Sequence, residues 1–206
     1  KTAQTPLAVV GAKGARLKLA DGRELIDGVA SWWTVTHGYN HPHIREAVAR
    51  QLETLPHVML GGLAHEQAYT LAKRLANMLP GDLNRVFFSD SGSVAVEVAM
   101  KMAIQYRINR GERGRTKVLS FRGGYHGDTF AAMSVCDPED SMHALFGPAL
   151  PAQYIVNLPT DEGRAGELDK VLSSHRDIAA VIVEPLLQGA AGMRMHDVAT
   201  LQRIRE

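Results

Sequence analysis

A short apolar run is followed by small polar residues that open a predicted helix. Val86 to Phe88 has the length and residue types of a buried strand, and Ser91, Gly92 and Ser93 follow it closely. The first N–H groups of a helix lack internal partners, and the helix dipole favours negative charge beside them. Gly92 admits a ligand close to the backbone, and both serine hydroxyls can donate. This stretch therefore predicts a phosphate site, although taken alone it is explained more simply by a serine-capped helix.

A second stretch with chemical potential is Gly-Gly-Tyr-His-Gly-Asp-Thr at 123–129. Its glycines bring the Tyr125 ring close to the backbone, where the ring can stack on a planar ligand. His126 and Asp128 can pair with or orient groups nearby. A glycine-rich turn with an incidental tyrosine and histidine is the alternative, and the spacing alone slightly favours it.

An acid follows the strongest strand pattern of the chain. The apolar run that begins at Ile178 is typical of a strand buried on both faces of a parallel sheet. Glu184 comes at its carboxyl end, where ligands collect in open α/β sheets.

Both tryptophans of the chain, Trp32 and Trp33, are adjacent. On an extended segment neighbouring side chains point in opposite directions, so at most one should be fully buried. The other can form a flat wall for a ligand, and two packing tryptophans are an equally good interpretation. His37 and His41 suggest a metal site, but Gly38 and Pro42 break any helix across them. We therefore predict turn and packing histidines, and no metal.

Composition narrows the classes of function. The 206 residues are 45% hydrophobic and 22% charged, with a formal net charge of +1, which are globular values. The near-neutral charge argues against nucleic acid or an anionic membrane as the main partner. The single cysteine, Cys136, precludes an internal disulfide and favours a reducing, cytoplasmic compartment. No apolar stretch has the length of a membrane span or the character of a signal peptide.

The order of predicted elements indicates a parallel α/β fold from residue 84 onward. A P-loop, a dinucleotide fingerprint and a hydrolase nucleophile elbow are all missing from the sequence. What remains suits a flat, phosphorylated cofactor. We also predict a β-meander at 1–28 and helices at 41–52, 65–79 (leucines 71, 75 and 79 inward) and 167–175. A long helix is expected to follow the small polar residues at 89–93, with Glu97 in its first turn, and to end at Asn109. A further helix begins at 197, residues 137–163 form a surface excursion, and residues 188–193 form a flexible loop.

Ser-Asp-Ser-Gly-Ser-Val-Ala-Val-Glu at 89–97, the 123–129 stretch and Val-Glu-Pro at 183–185 resemble the class III aminotransferases. These are pyridoxal-phosphate enzymes of fold type I, the aspartate-aminotransferase-like α/β fold. They are usually homodimers with sites at the subunit interface. The resemblance implies that residues 1–55 are the N-terminal part of a small domain and 56–206 the first part of a large cofactor-binding domain.

The resemblance also implies roles for individual residues. The cofactor phosphate would be held by Ser91, Gly92 and Ser93, while Tyr125 would stack on the pyridine ring and touch substrate. Glu184 would lie behind the ring. The substrate wall would be Trp32 with Trp33, and the supporting residues would be His126 and Asp128.

Further segments, including the paired tryptophans, resemble the branch of the family that serves biotin synthesis. That resemblance implies S-adenosylmethionine as amino donor and 8-amino-7-oxononanoate as acceptor. An aminotransferase for ω-amino acids and a non-catalytic fragment are the alternatives. The family's Schiff-base lysine and ring-nitrogen aspartate match nothing here, so we expect both after Glu206. We therefore expect roughly the first half of an enzyme, with no catalytic residue of its own and no activity alone.

Overall fold

The computed structural model describes residues 5–139 and 143–206. The chain divides into two compact units, Lys1–Val86 and Phe87–Glu206. The first four residues of the predicted meander lie outside the described part. The assignment to small and large domains with a boundary at 55 concerns the whole family fold and stays a prediction.

The first unit opens with the predicted meander. Three antiparallel strands pair in sequence order: β1 (Val9–Lys13), β2 (Arg16–Leu19) and β3 (Glu24–Ile26). The Asp21-Gly22 turn joins the last two, closed by a hydrogen bond of 2.9 Å from the Leu19 N–H to the Arg23 carbonyl. Gly22 has φ +90°, a conformation that glycine adopts without strain. The β-meander is therefore confirmed.

Two helices follow in this unit, α1 (Pro42–Thr54) and α2 (Glu66–Met78). Pro42 occupies the first turn of α1, where its missing N–H is harmless. The predicted inward faces are wrong for α2, because Leu71 is 48% exposed and Leu79 is 49% exposed. Helical spacing identifies the apolar face of α2 correctly, but no residue of α2 is buried in the described part of the chain.

The tryptophan segment is not extended, contrary to the expectation. Residues 28–37 form consecutive turns, with left-handed backbone from Ala30 to Trp33. Both indoles face outward, with Trp32 90% and Trp33 55% exposed. The packing interpretation of the pair is therefore wrong within the described residues.

The second unit is built on a parallel sheet in which β4 (Lys117–Phe121) lies between β5 (Tyr154–Val156) and β6 (Ile178–Val181). Val118 packs with Met100 on one face, and Leu119 packs with Leu168 on the other. Such two-sided burial is typical of a central strand in a parallel sheet, and Val118 to Phe121 are all buried. The helices are α3 (Gly92–Asn109), α4 (Phe130–Ser134), α5 (Glu162–Ser174) and α6 (Val198–Arg205), and β7 (Leu187–Gln188) pairs with β8 (Arg194–Met195).

Several local predictions fail in this unit. Val86–Phe88 is not a strand, since no described segment pairs with it, and Phe87 is 64% exposed. The strand from Ile178 ends at Val181, which is 36% exposed, so it is not buried on both faces throughout. The excursion at 137–163 contains β5, whose apolar run is only three residues long. By contrast, the predicted loop after Gln188 is present, and it joins β7 to β8.

No helix in the described part is long and apolar enough to cross a membrane. Likewise, residues 5–139 and 143–206 hold no group of three or more His, Cys, Asp or Glu side chains placed to bind a metal ion.

Candidate functional site

Two backbone donors are free at the start of α3. The Ser91 side chain caps the helix, accepting a hydrogen bond of 3.2 Å from the Val94 N–H. Within the described residues, the N–H groups of Gly92 and Ser93 have no acceptor. A Cβ built on Gly92 would meet nothing within 4 Å. The serine cap and the anion site are therefore compatible, and the free donors at a helix N-terminus fit a phosphate group.

The Ser93 hydroxyl is used inside the chain. Its oxygen accepts from the Thr129 N–H at 3.0 Å and lies 2.8 Å from the Thr129 hydroxyl. The Thr129 hydroxyl donates to Glu97 at 2.6 Å, so the Ser93 hydroxyl must donate to Thr129. In this arrangement the backbone N–H of Ser93 can donate to an anion. The Ser93 hydroxyl cannot donate as we predicted, because it already donates to Thr129.

Glycine at 127 brings the two predicted stretches together. Gly127 has φ +126°, and a Cβ there would lie 2.6 Å from Ser93 Cβ and 2.8 Å from Ser93 Cα. Only a residue without a side chain allows this approach. The 123–129 loop therefore lies directly against the N-terminus of α3.

The sequence analysis missed the role of Glu97. One oxygen of its carboxylate accepts the Thr129 hydroxyl and the N–H groups of Ala131 and Ala132, at 2.8 and 3.2 Å. It thereby caps α4 from another helix. Burial raises the pKa of Glu97, but the hydrogen bonds from Thr129, Ala132 and Ala131 and the charge of Lys101 outweigh it, so the pKa lies below its ordinary value.

Replacing Glu97 with alanine is expected to destabilise the protein by about 2 kcal/mol, because several donors lose a charged acceptor. Urea unfolding of the cofactor-free protein measures this, with Glu46→Ala as control; Glu46 is an exposed α1 residue without a hydrogen bond in the described part. Since the folded pKa is lowered, the stabilisation exists above the ordinary pKa and disappears as pH falls through the lowered pKa. An unchanged free energy of unfolding at pH 7 would contradict this role.

Glu184 reaches Tyr125 across 59 positions in sequence. One carboxylate oxygen accepts the Tyr125 N–H at 2.9 Å, and the other accepts the Gly189 N–H at 3.0 Å. The acid thus ties the aromatic loop to the β7–β8 hairpin. The structure brings these two predicted site residues together, and the contact is made to the tyrosine backbone.

The Tyr125 ring is held by an unpredicted partner, His143. The rings are stacked at a centroid distance of 6.0 Å, and His143 Nε2 lies 2.8 Å from Asp128 Oδ1. The pKa of Tyr125 is raised, mainly by burial. A hydrogen bond to Asp128 and the negative charge of Asp128 raise this pKa further. The tyrosine is still 37% exposed. His143 is 5% exposed, and it was missed because its surroundings carry no periodic pattern.

His126 is a buried packing residue. Its backbone N–H donates to the Cys136 sulfur at 3.2 Å, and Cys136 is 2% exposed. Burial lowers the pKa of His126, with Glu184 opposing, so the imidazole is neutral at pH 7. Cys136 therefore packs as a small hydrophobic residue.

The remaining predicted site residues, Trp32 and Trp33, lie in the other unit. The described residues bring together Ser91, Gly92, Ser93, Tyr125, His126, Asp128 and Glu184 within one unit. Free amide donors, a partly exposed aromatic ring and a nearby acid are an arrangement that can hold a flat anionic ligand.

Comparison with known proteins identifies the class. The family pattern "Aminotransferase class-III" matches residues 1–206, and the chain belongs to this family. A solved amine transaminase from an uncultivated Pseudomonas species, in its PLP-bound form, matches with a TM-score of 0.82 and 30% identity, covering 98% of this chain and 49% of that one.

The chain is more similar to particular members. The adenosylmethionine-8-amino-7-oxononanoate aminotransferase of Corynebacterium glutamicum is 46% identical over 197 residues, which are 93% of this chain and 47% of that protein. The solved enzyme of the same name from Methanocaldococcus jannaschii has a TM-score of 0.91 and 34% identity, over 98% of this chain and 46% of that one. The chain therefore spans about half the length of these relatives.

Proposed function

We propose that the protein containing this chain transfers an amino group from S-adenosylmethionine to 8-amino-7-oxononanoate, giving 7,8-diaminononanoate for biotin synthesis. The observation that carries the proposal is the 46% identity to a relative named for this reaction, combined with free helix N–H donors beside the Tyr125 loop. Fold and family both support pyridoxal phosphate as the cofactor.

The chain's own residues would bind and orient that cofactor. The N–H groups of Gly92 and Ser93, with the Ser91 hydroxyl beside them, would hold its phosphate. The Tyr125 ring would cover one face of its pyridine ring. Glu184 would keep Tyr125 in place through the backbone bond already described.

Pyridoxal phosphate, when bound, supplies the electron sink for transamination. The protein contributes orientation. His126 would support the 123–129 loop by packing, and Asp128 would support it through its contact with His143. Trp32 and Trp33 would form an apolar wall for the substrate. None of these residues is assigned the proton transfer.

The test is a two-substrate assay on the purified natural full-length protein. We expect 7,8-diaminononanoate to form when pyridoxal phosphate, S-adenosylmethionine and 8-amino-7-oxononanoate are all present. Omitting the donor should abolish the product. Activity with simple ω-amino acids in place of S-adenosylmethionine, and none with the biotin precursor, would overturn the assignment.

That second outcome defines the alternative, an aminotransferase for other amines. The match to a solved amine transaminase supports it, but at 30% identity against 46% for the biotin-pathway relative. Replacing Trp32 separates the two, since only a biotin-pathway pocket is expected to depend on it. A fragment that lacks the cofactor-binding lysine is the non-catalytic alternative.

We also propose a homodimer in the cytoplasm, with residues 1–55 in a small domain and 56–206 in a large one. The family resemblance supports the dimer and domain assignments, and the single cysteine is compatible with a reducing compartment. Light scattering of the natural protein tests the dimer, and a mass of one subunit would refute it.

A further inference from the structure

The turn that carries both tryptophans is wound in the left-handed sense. Ala30, Ser31, Trp32 and Trp33 have φ values of 52°, 47°, 52° and 71°. A left-handed backbone crowds the Cβ atom against the following carbonyl, so residues other than glycine adopt it singly and seldom in runs. Such a run persists only where surrounding contacts enforce it.

One carboxylate enforces this turn. Asp27 Oδ1 accepts the Val29 N–H at 3.0 Å, while Oδ2 accepts the Ser31 N–H at 2.9 Å and the Tyr39 hydroxyl at 2.6 Å. The Ser31 hydroxyl bonds to the Tyr39 oxygen as well. The hydrogen bond from Tyr39 is the main reason that the pKa of Asp27 lies below its ordinary value. Asp27 is therefore ionised at neutral pH. Its carboxylate connects Val29 and Ser31, in the first part of the turn, to Tyr39 after its end.

Both ends of the turn are tied to the hairpin of β1 and β2. The Asp27 N–H donates to the Ala15 carbonyl at 2.9 Å, and Gly14 and Tyr39 exchange backbone hydrogen bonds of 2.8 and 3.1 Å. Gly38 has φ +88°, and a Cβ there would lie 3.2 Å from Gly14 Cα. The hairpin is thus a fixed base for the turn.

We propose that Asp27 and Tyr39 are positioning residues for substrate recognition, holding the left-handed turn that presents Trp32 and Trp33 as a preformed apolar wall. The indoles are 90% and 55% exposed, so the backbone turn, and not packing, sets the direction in which the two side chains leave the main chain. A wall fixed in advance loses less conformational entropy when substrate binds. The inference rests on the proposed function, which assigns the two tryptophans to the substrate pocket.

Kinetics of the natural full-length protein test the proposal. Tyr39→Phe removes one donor and Asp27→Asn removes the charge that holds the turn. We expect KM for S-adenosylmethionine or for 8-amino-7-oxononanoate to rise about tenfold in Asp27→Asn and to rise less in Tyr39→Phe. The kcat and the affinity for pyridoxal phosphate should stay near wild type. The matched control is Tyr69→Phe, because Tyr69 is 59% exposed in α2 and its hydroxyl has no hydrogen bond in the described part.

A second readout does not depend on activity. Acrylamide quenching of tryptophan fluorescence, taken as the difference from a Trp32→Phe/Trp33→Phe protein, reports on the turn itself. We expect Asp27→Asn to change this difference signal and Tyr69→Phe to leave it unchanged.

A rescue experiment separates positioning from general loss of structure. Glycine adopts a left-handed φ without strain, so adding Ala30→Gly to Asp27→Asn should recover part of the lost substrate affinity. Ala47→Gly, in α1 and outside the positive-φ residues, should not.

Unchanged KM and quenching in Asp27→Asn would overturn the proposal, as would a loss of folding and cofactor affinity that matches the loss of substrate affinity. A wild-type protein that neither binds pyridoxal phosphate nor transaminates would instead refute the proposed function. In that case the quenching measurement still decides whether Asp27 holds the turn.

Discussion

Gly127→Ala is expected to destabilise the protein by about 2–6 kcal/mol and to lower its affinity for pyridoxal phosphate by at least about 100-fold, the equivalent of about 3 kcal/mol. Gly127 has φ +126°, and a Cβ would lie 2.8 Å from the backbone Cα of Ser93. No side-chain rotation relieves a clash with backbone, so the loop must move off the helix. The range combines about 1–3 kcal/mol of backbone strain with about 1–3 kcal/mol of overpacking. Denaturant unfolding and cofactor titration measure the two effects.

Gly111→Ala is the matched control for the backbone contribution. Gly111 has φ +81°, and a Cβ there meets nothing within 4 Å. It should therefore cost only about 1–2 kcal/mol and leave cofactor affinity unchanged. Wild-type affinity in Gly127→Ala would show that the loop and the helix need not be in contact for binding.

Glu184→Ala is the second large effect that we expect, a loss of about 3 kcal/mol in the free energy of unfolding. Two N–H groups, of Tyr125 and Gly189, lose charged acceptors, and each such bond is worth about 1.5–3 kcal/mol. Because the bond to Tyr125 positions its ring, cofactor affinity should also fall, by about tenfold or more. Thermal unfolding and cofactor titration of the same preparation test both expectations.

Glu162→Ala is the control for removing a carboxylate. Glu162 pairs with Arg203 at 2.7 Å, and its side chain is 90% exposed, so its loss should cost less than about 1 kcal/mol. Equal destabilisation by Glu184→Ala and Glu162→Ala would contradict the role given to Glu184.

Local patterns predicted the elements that local physics determines. The predicted meander, the helix at 41–52 and the serine-capped helix after Ser91 are all present. The Asp21-Gly22 turn, the proline in the first turn of α1 and the serine before α3 each act within a few residues. The parallel sheet also followed from the order of elements. Val86–Phe88 has strand composition, but a strand also needs a hydrogen-bonded neighbour, which the described residues do not provide.

The errors at the site come from contacts that are distant in sequence. The hydrogen-bond partners of Glu97 lie 32 or more positions further along the chain, where helical spacing gives no indication of them. The tryptophan turn is held by Asp27 and Tyr39, 12 positions apart, and no local propensity favours left-handed tryptophan. For contacts of this kind, the sequence pattern can indicate that a turn is present, but it does not indicate which distant residues bond across the turn.

The most direct measurement is a crystal structure of the natural full-length protein with pyridoxal phosphate. We predict phosphate oxygens about 3 Å from the backbone nitrogens of Gly92 and Ser93. The same molecule should stack its ring on Tyr125, with atoms about 3.5–4 Å apart. A phosphate bound elsewhere, or a ring that does not contact Tyr125, would contradict a single cofactor site formed by α3 and the 123–129 loop.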